Sequence, residues 1–151
     1  MTDAESTPPP DASHARAWQI LVACWLLATG ASLGSLFFSE VMELPPCSLC
    51  WYQRIFMFPL AIVLLVGALT VDRHCIRYAL PLAIGGWAFA AYHVLLMVGI
   101  IPESAAPCQQ GVSCTEVQLE LFGFASIPVL SLLAFTAIAA GLLLIKLRYS
   151  R

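Results

Sequence analysis

Hydrophobic residues in this chain come in long uninterrupted blocks, not at the alternating or three-to-four spacing of a half-buried element. Trp18 to Phe38, Ile55 to Val71, Tyr78 to Ile101 and Leu121 to Ile145 contain no Asp, Glu, Lys or Arg. A helix crosses the hydrocarbon core of a bilayer in about 20 mostly apolar residues. The second block reaches that length once Trp51 and Tyr52 are counted as an aromatic anchor at the interface. The pattern therefore predicts four spans, over about 18–38, 51–71, 78–101 and 127–147. Too little chain remains outside them for a separate soluble domain, so the expected fold is an all-α membrane protein, one four-helix transmembrane bundle over 18–147. Residues 1–17, with Thr7-Pro8-Pro9-Pro10, mixed charges and little apolar content, read as a disordered tail, and 148–151 as a short second tail. The first block is longer than the roughly 7–15 apolar residues of a secretory signal and ends in bulky Phe37-Phe38, so it reads as a retained helix.

Composition agrees with the pattern. Of 151 residues, 60% are hydrophobic and 11% charged, with a mean hydropathy of +0.86, whereas soluble domains carry about 25% charged residues. The bilayer is the expected surroundings, and no nucleic-acid partner is expected. The few charges are distributed unevenly. Arg16 precedes the first block, Arg73 and Arg77 lie between the second and third, and Lys146, Arg148 and Arg151 follow the fourth. The other two connections carry Glu40 and Glu43, and three glutamates between Pro102 and Glu120, with no Lys or Arg. Basic residues mark the cytoplasmic side, which predicts cytoplasmic termini and two acidic outer loops. Pro59, Pro81, Gly85, Gly86 and Gly99 fall within the second and third spans. Such residues either bend membrane helices open or let them pack closely.

Candidate chemistry concentrates at one place. Pro45-Pro46-Cys47-Ser48-Leu49-Cys50-Trp51-Tyr52-Gln53-Arg54 sets a Cys-x-x-Cys against the mouth of the second span. Proline suits the first turn of a helix, so Pro45-Pro46 are expected to begin one, with both cysteines in its first turns. Residues three and four apart share a helix face, which puts Cys47, Cys50 and Arg54 in one stripe. The helix dipole and the guanidinium then both favour thiolate, the form that attacks disulfides. A structural disulfide, or half of a zinc site, uses the same Cys-x-x-Cys, and an arginine that snorkels to the interface accounts equally for Arg54. His93 lies in the outer half of the third span, at a depth consistent with facing the same pocket as Arg54. It reads either as a functional ionisable group or as a histidine hydrogen-bonded to a neighbouring helix. A second pair, Cys108 and Cys114, brackets Gln109-Gln110-Gly111-Val112-Ser113, a segment able to turn back and bring the sulfurs to disulfide distance. Cys24 reads as packing and Cys75 as an incidental reduced thiol on the basic side.

Four of the six cysteines thus form two pairs, and a charge argument that used no cysteine puts both pairs on the oxidising side. One pair lies in an accessible loop and the other at the hydrocarbon boundary beside a cation. That describes a relay in which thiol–disulfide exchange passes two electrons from an outside dithiol protein through Cys108–Cys114 to Cys47–Cys50, and onward to a quinone. Arg54 would stabilise negative charge on the Cys50 sulfur and on a quinone oxygen.

These residues resemble a known family. Cys47-Ser48-Leu49-Cys50-Trp51-Tyr52-Gln53-Arg54 is similar to the first cysteine motif of DsbB-type disulfide bond formation proteins. His93 with the apolar run to Pro102, and Cys114 followed by Glu116, Gln118, Glu120, Phe122-Gly123 and Ile127-Pro128, resemble the corresponding regions. The likeness covers roughly Trp18 to Ile145. The short spacing between Cys108 and Cys114 matches the BdbC-like subgroup, whereas the best-known proteobacterial members separate that pair widely around an amphipathic segment. The resemblance implies a quinone-dependent protein-disulfide oxidoreductase of the bacterial inner membrane. Such an enzyme reoxidises a soluble, DsbA-like thioredoxin-fold oxidant and so supports disulfide formation in exported proteins. Carried over, Cys50 faces the quinone, ubiquinone or menaquinone, with Cys47 as its partner. Arg54 contacts the quinone; Cys108 is attacked by the soluble partner, and Cys114 passes electrons to Cys47. His93, by its depth and not by the resemblance, is the second candidate for binding the cofactor. No resident metal is expected. Two other classes use the same residues: a four-helix membrane protein with structural loop disulfides only, and a metal carrier with Cys47, Cys50, Cys108 and Cys114 as a four-thiolate site.

Overall fold

The computed structural model describes residues 12–102, 120–121 and 125–149. Four helices long and apolar enough to cross a membrane make up the described chain. They are α1 (Ala12–Leu36), α2 (Ser48–Thr70), α3 (Ile76–Met97) and α4 (Ile127–Tyr149). The expected four-helix membrane architecture is what forms. Each helix packs mainly on two others, α1 on α2 and α4, and α3 on α2 and α4, which closes a ring in chain order. A two-residue antiparallel pairing, Glu120 with Ser126 and Leu121 with Ala125, leads into α4.

α1 begins within the stretch expected to be a disordered tail. Ala15 and Ala17 are strong helix formers, and Ala17 is buried. The indole Nε1 of Trp18 donates to the Ala68 carbonyl at 3.0 Å, tying α1 to the far end of α2. At its other end α1 widens into a π-helical turn, Phe37–Val41, where Met42 N–H donates to Phe37 O at 3.2 Å. π turns of this kind recur beside functional sites, and here the turn lies next in the chain to the Cys-x-x-Cys segment. Pro59 and Pro81 sit inside α2 and α3 without ending them.

Without water as a driving force between helices, membrane bundles associate through close packing of small residues. Ala28, Ala79, Ala83 and Ala90 are fully enclosed, interleaved with Leu60, Leu64, Phe135, Ile138 and Leu142. Gly86 has no side chain because the Phe135 ring occupies the space a Cβ would need, and Gly67 is likewise covered by Cys75. Cys24, as expected of a packing thiol, is buried, with its sulfur 3.9 Å from the Ile138 carbonyl. Cys75, the incidental thiol of the basic turn, is buried too. Large apolar side chains such as Ile62, Leu69, Leu133 and Leu147 face outward, where lipid would cover them.

Candidate functional site

Helix α2 starts one residue after Cys47, and the reason is the sulfur itself. Cys47 has extended backbone (φ −68°, ψ 166°), and its Sγ accepts from the Cys50 N–H at 3.4 Å, capping the helix. Pro45 and Pro46 therefore precede the helix instead of filling its first turn. A proline disfavours helical geometry in the residue before it, so a Pro-Pro pair holds the approach extended. The two sulfurs lie 2.9 Å apart, both as free thiols. Cys47 is buried with Leu49 and Leu96 in a small apolar cluster separate from the main core, and Cys50 is partly exposed.

One turn further, Arg54 lies on the same side of α2. It is only 8% exposed. Its Nη2 donates to the Ser35 carbonyl of α1 at 2.7 Å, and its guanidinium lies 5.2 Å from the centre of the Trp51 ring. Among the described residues no carboxylate pairs with it; the ion pair they contain is Asp72 with His74, beyond the other end of α2. A buried cation without a counter-charge is costly in a bilayer, and a snorkelling arginine would reach out instead of in. Cys50, Gln53 and Arg54 line a cavity of about 570 Å³ between α1, α2 and α4. Its walls are mostly apolar side chains, among them Leu27, Met57 and Leu130. Small-molecule sites typically measure about 300–1,000 Å³ and combine apolar walls with a few placed polar groups. The space exists because α1 presents Gly30, Ala31, Gly34 and Ser35 to it; a Cβ built on Gly30 or Gly34 meets nothing within 4 Å.

His93 of α3 is 2% exposed and stands on the Cys47 side of the motif. Its Nε2 is 3.9 Å from Cys47 Sγ, and its Nδ1 is 3.1 Å from Gln53 Nε2. With the amide donating to Nδ1, the ring hydrogen sits on Nε2 and faces the sulfur. His93 is not among the residues that line the cavity with Arg54. The structure thus brings Cys47, Cys50, Arg54 and His93 into one site, with His93 against the sulfur. Cys47, which lies just ahead of the span, is held below the ordinary thiol range. The first cause is the hydrogen bond from the Cys50 thiol; His93 and the Cys50 N–H add to it, against burial, which raises it. Cys108 and Cys114 lie outside the described residues.

Two parts of the site have no role assigned from the sequence. Gln53 lines the cavity and also holds His93, linking the two halves. Gly30 with Gly34, and Ala31 with Ser35, show only as small residues four apart.

The family model described as "Disulfide bond formation protein DsbB" matches residues 16–145. A "Probable disulfide formation protein" of Metapseudomonas resinovorans is 44% identical over 87% of this chain and 92% of its own. A "Probable disulfide formation protein C 2" of Bacillus cereus is 46% identical over 82% of this chain and 87% of its own. The "Disulfide bond formation protein C" of Bacillus subtilis is 40% identical over 83% and 91% respectively. No solved structure gives a significant match to the chain.

Proposed function

The chain belongs to the DsbB family of disulfide bond formation proteins, a multi-pass membrane thiol–disulfide oxidoreductase. From that premise we propose that it reoxidises a soluble, DsbA-like dithiol protein at the outer face of the cytoplasmic membrane and passes the electrons to a membrane quinone. The observation that carries this reading is the shared cavity: Cys50 and a buried Arg54, which has no carboxylate partner among the described residues, face one apolar chamber. A bound quinone supplies an acceptor for two electrons and two protons. The chamber fits such a molecule, since Arg54 offers donors to an oxygen and the walls match an apolar ring.

The residues divide the work by position. An incoming thiolate from Cys114 attacks Cys47 of the oxidised pair, forming a Cys114–Cys47 disulfide and expelling Cys50 as a thiolate beside Arg54. When Cys108 takes Cys114 back, Cys47 is released as a thiolate, stabilised by His93 Nε2–H and the Cys50 N–H. Cys47 and Cys50 then rejoin, and the two electrons of that oxidation leave through the cavity. Protons go with them, so one dithiol becomes one disulfide per quinone reduced. Here His93 serves the sulfur, and Arg54 serves the acceptor.

The test is reconstitution in liposomes with ubiquinone or menaquinone alone, following oxidation of a reduced thioredoxin-fold dithiol protein. Oxidation is expected to require quinone. Gly34→Leu, at a cavity-lining position where an added Cβ meets nothing within 4 Å, is expected to raise the quinone KM by about tenfold or more, the loss of roughly 1.4 kcal/mol of binding. Quinone-independent turnover, or an unchanged KM in Gly34→Leu, would remove the cavity from the mechanism. Orientation is checked separately. Buried Cys75 is a poor reporter, but His74 beside it is exposed. In His74→Cys, a membrane-impermeant thiol reagent is expected to label the new site only in breached cells, since the Arg73–Arg77 turn lies inside. Labelling of intact cells would reverse the assignment.

A further inference from the structure

Cys47, Cys50 and His93 form a cluster whose ligand atoms all lie within 4.8 Å of one another, at the boundary of the accessible cavity. Reduced, this cluster holds two sulfur donors and one nitrogen, and one of the three, Cys50, lines the chamber. We propose that the reduced enzyme binds a thiophilic divalent cation there, zinc or cadmium, and that this locks the dithiol against reoxidation. The inference concerns the reduced thiols alone and stands whether or not a quinone is the acceptor.

The geometry is close to what the metal demands. A tetrahedral zinc with Zn–S near 2.3 Å and Zn–N near 2.0–2.1 Å sets its ligand atoms about 3.5–3.8 Å apart. The Cys47 sulfur and His93 Nε2, 3.9 Å apart, and the Cys50 sulfur, within 4.8 Å of that nitrogen, must draw in slightly, while the sulfurs, at 2.9 Å, must open by roughly 0.8 Å. Partly exposed Cys50 can make that movement into the cavity. Metal-bound histidines donate their other ring N–H to an outer partner, which fixes the tautomer. Gln53 already sits on Nδ1 at 3.1 Å, and a half-turn of its amide replaces the nitrogen with the oxygen. That frees Nε2 to be a ligand. Binding balances as one cation taken up by two thiolates and a neutral imidazole, with release of whatever protons the two sulfurs still hold and a water or other small donor in the fourth position. The pair cannot bind the cation as a disulfide, so the site exists in one redox state only.

The experiment uses the full chain in detergent micelles with Cys108→Ser and Cys114→Ser, which removes the other pair of outer thiols. After reduction and removal of reductant under nitrogen, Cd2+ is titrated and the ultraviolet thiolate-to-cadmium absorption is followed, with Zn2+ as competitor. One Cd2+ per chain is expected, with the band displaced by zinc, absent after oxidation of the pair with diamide, and absent in Cys47→Ser. Removing the imidazole in His93→Ala should weaken binding at least about tenfold, and Gln53→Ala by about 10-fold through loss of the outer partner. Thermal unfolding of each variant, and alkylation of Cys47 and Cys50, show that the bundle is intact. Absence of the band in the reduced parent, or equal affinity in a folded His93→Ala, would overturn the proposal, the second by reducing the site to a bare dithiol.

Discussion

In Cys50→Ser, quinone-coupled turnover is expected to fall to background while the first capture of the soluble partner survives. The serine cannot close a disulfide with Cys47, so electrons arriving at Cys47 have no route to the cavity that Cys50 lines. Capture depends on different atoms. If a partner thiolate attacks Cys108, a mixed disulfide forms and Cys114 leaves as a thiolate. A partner lacking its own resolving cysteine then stays attached to Cys108. The trapped species should persist in Cys50→Ser and vanish in Cys108→Ser. It should also vanish in Cys114→Ser, which has no loop disulfide to attack. Mass mapping of the complex decides the order. A partner joined to Cys47 or Cys50, with Cys108 and Cys114 still linked, would mean the loop pair is structural and the proposed relay is wrong.

Most of the architecture was legible because bilayer thickness imposes it: uncharged blocks of spanning length admit few structures other than helices. Ends were less legible, since they depend on tertiary interactions. The start of α1 was hidden behind a Pro-rich tail because the Trp18–Ala68 bond that anchors it joins residues from different helices. The start of α2 was off by a turn because proline spacing gave no sign that Cys47 Sγ would act as the cap.

In the site, Cys47, Cys50 and Arg54 were legible together, since one helix face needs only sequence spacing. His93 was found by its rarity as an intramembrane histidine, but its neighbour could not be, since its approach to α2 depends on how α3 is rotated. Sequence depth suggested the Arg54 pocket; the structure puts the ring on Cys47 and Gln53. Gln53 itself stood in the motif with no role assigned to it. The cavity was invisible for a similar reason, because Gly30 and Gly34 mark either close packing or open space, and only the position of α4 decides which.

Arg54→Met is expected to raise the quinone KM by about 10–100-fold, with a smaller fall in kcat and no effect on trapping of the partner at Cys108. Methionine keeps much of the apolar stem and removes a charge that has no described carboxylate partner, so the bundle should fold; burying such a charge costs stability that the variant regains. The expected size follows from the hydrogen bond to the acceptor that methionine cannot make. A hydrogen bond from a charged donor contributes about 1.5–3 kcal/mol, which is roughly 10- to 150-fold in binding. Arg54→Lys separates charge from shape. Lysine preserves the cation but not the planar fork that spans the Ser35 carbonyl and the cavity, so it should recover part of the loss, chiefly in kcat if charge development on the acceptor is what the cation stabilises. Steady-state rates over a wide quinone range, beside the yield of the trapped complex, distinguish the alternatives. Equal kinetics for Arg54, Lys and Met at that position would leave the arginine as a tether between α2 and the Ser35 carbonyl of α1, with no part in electron transfer.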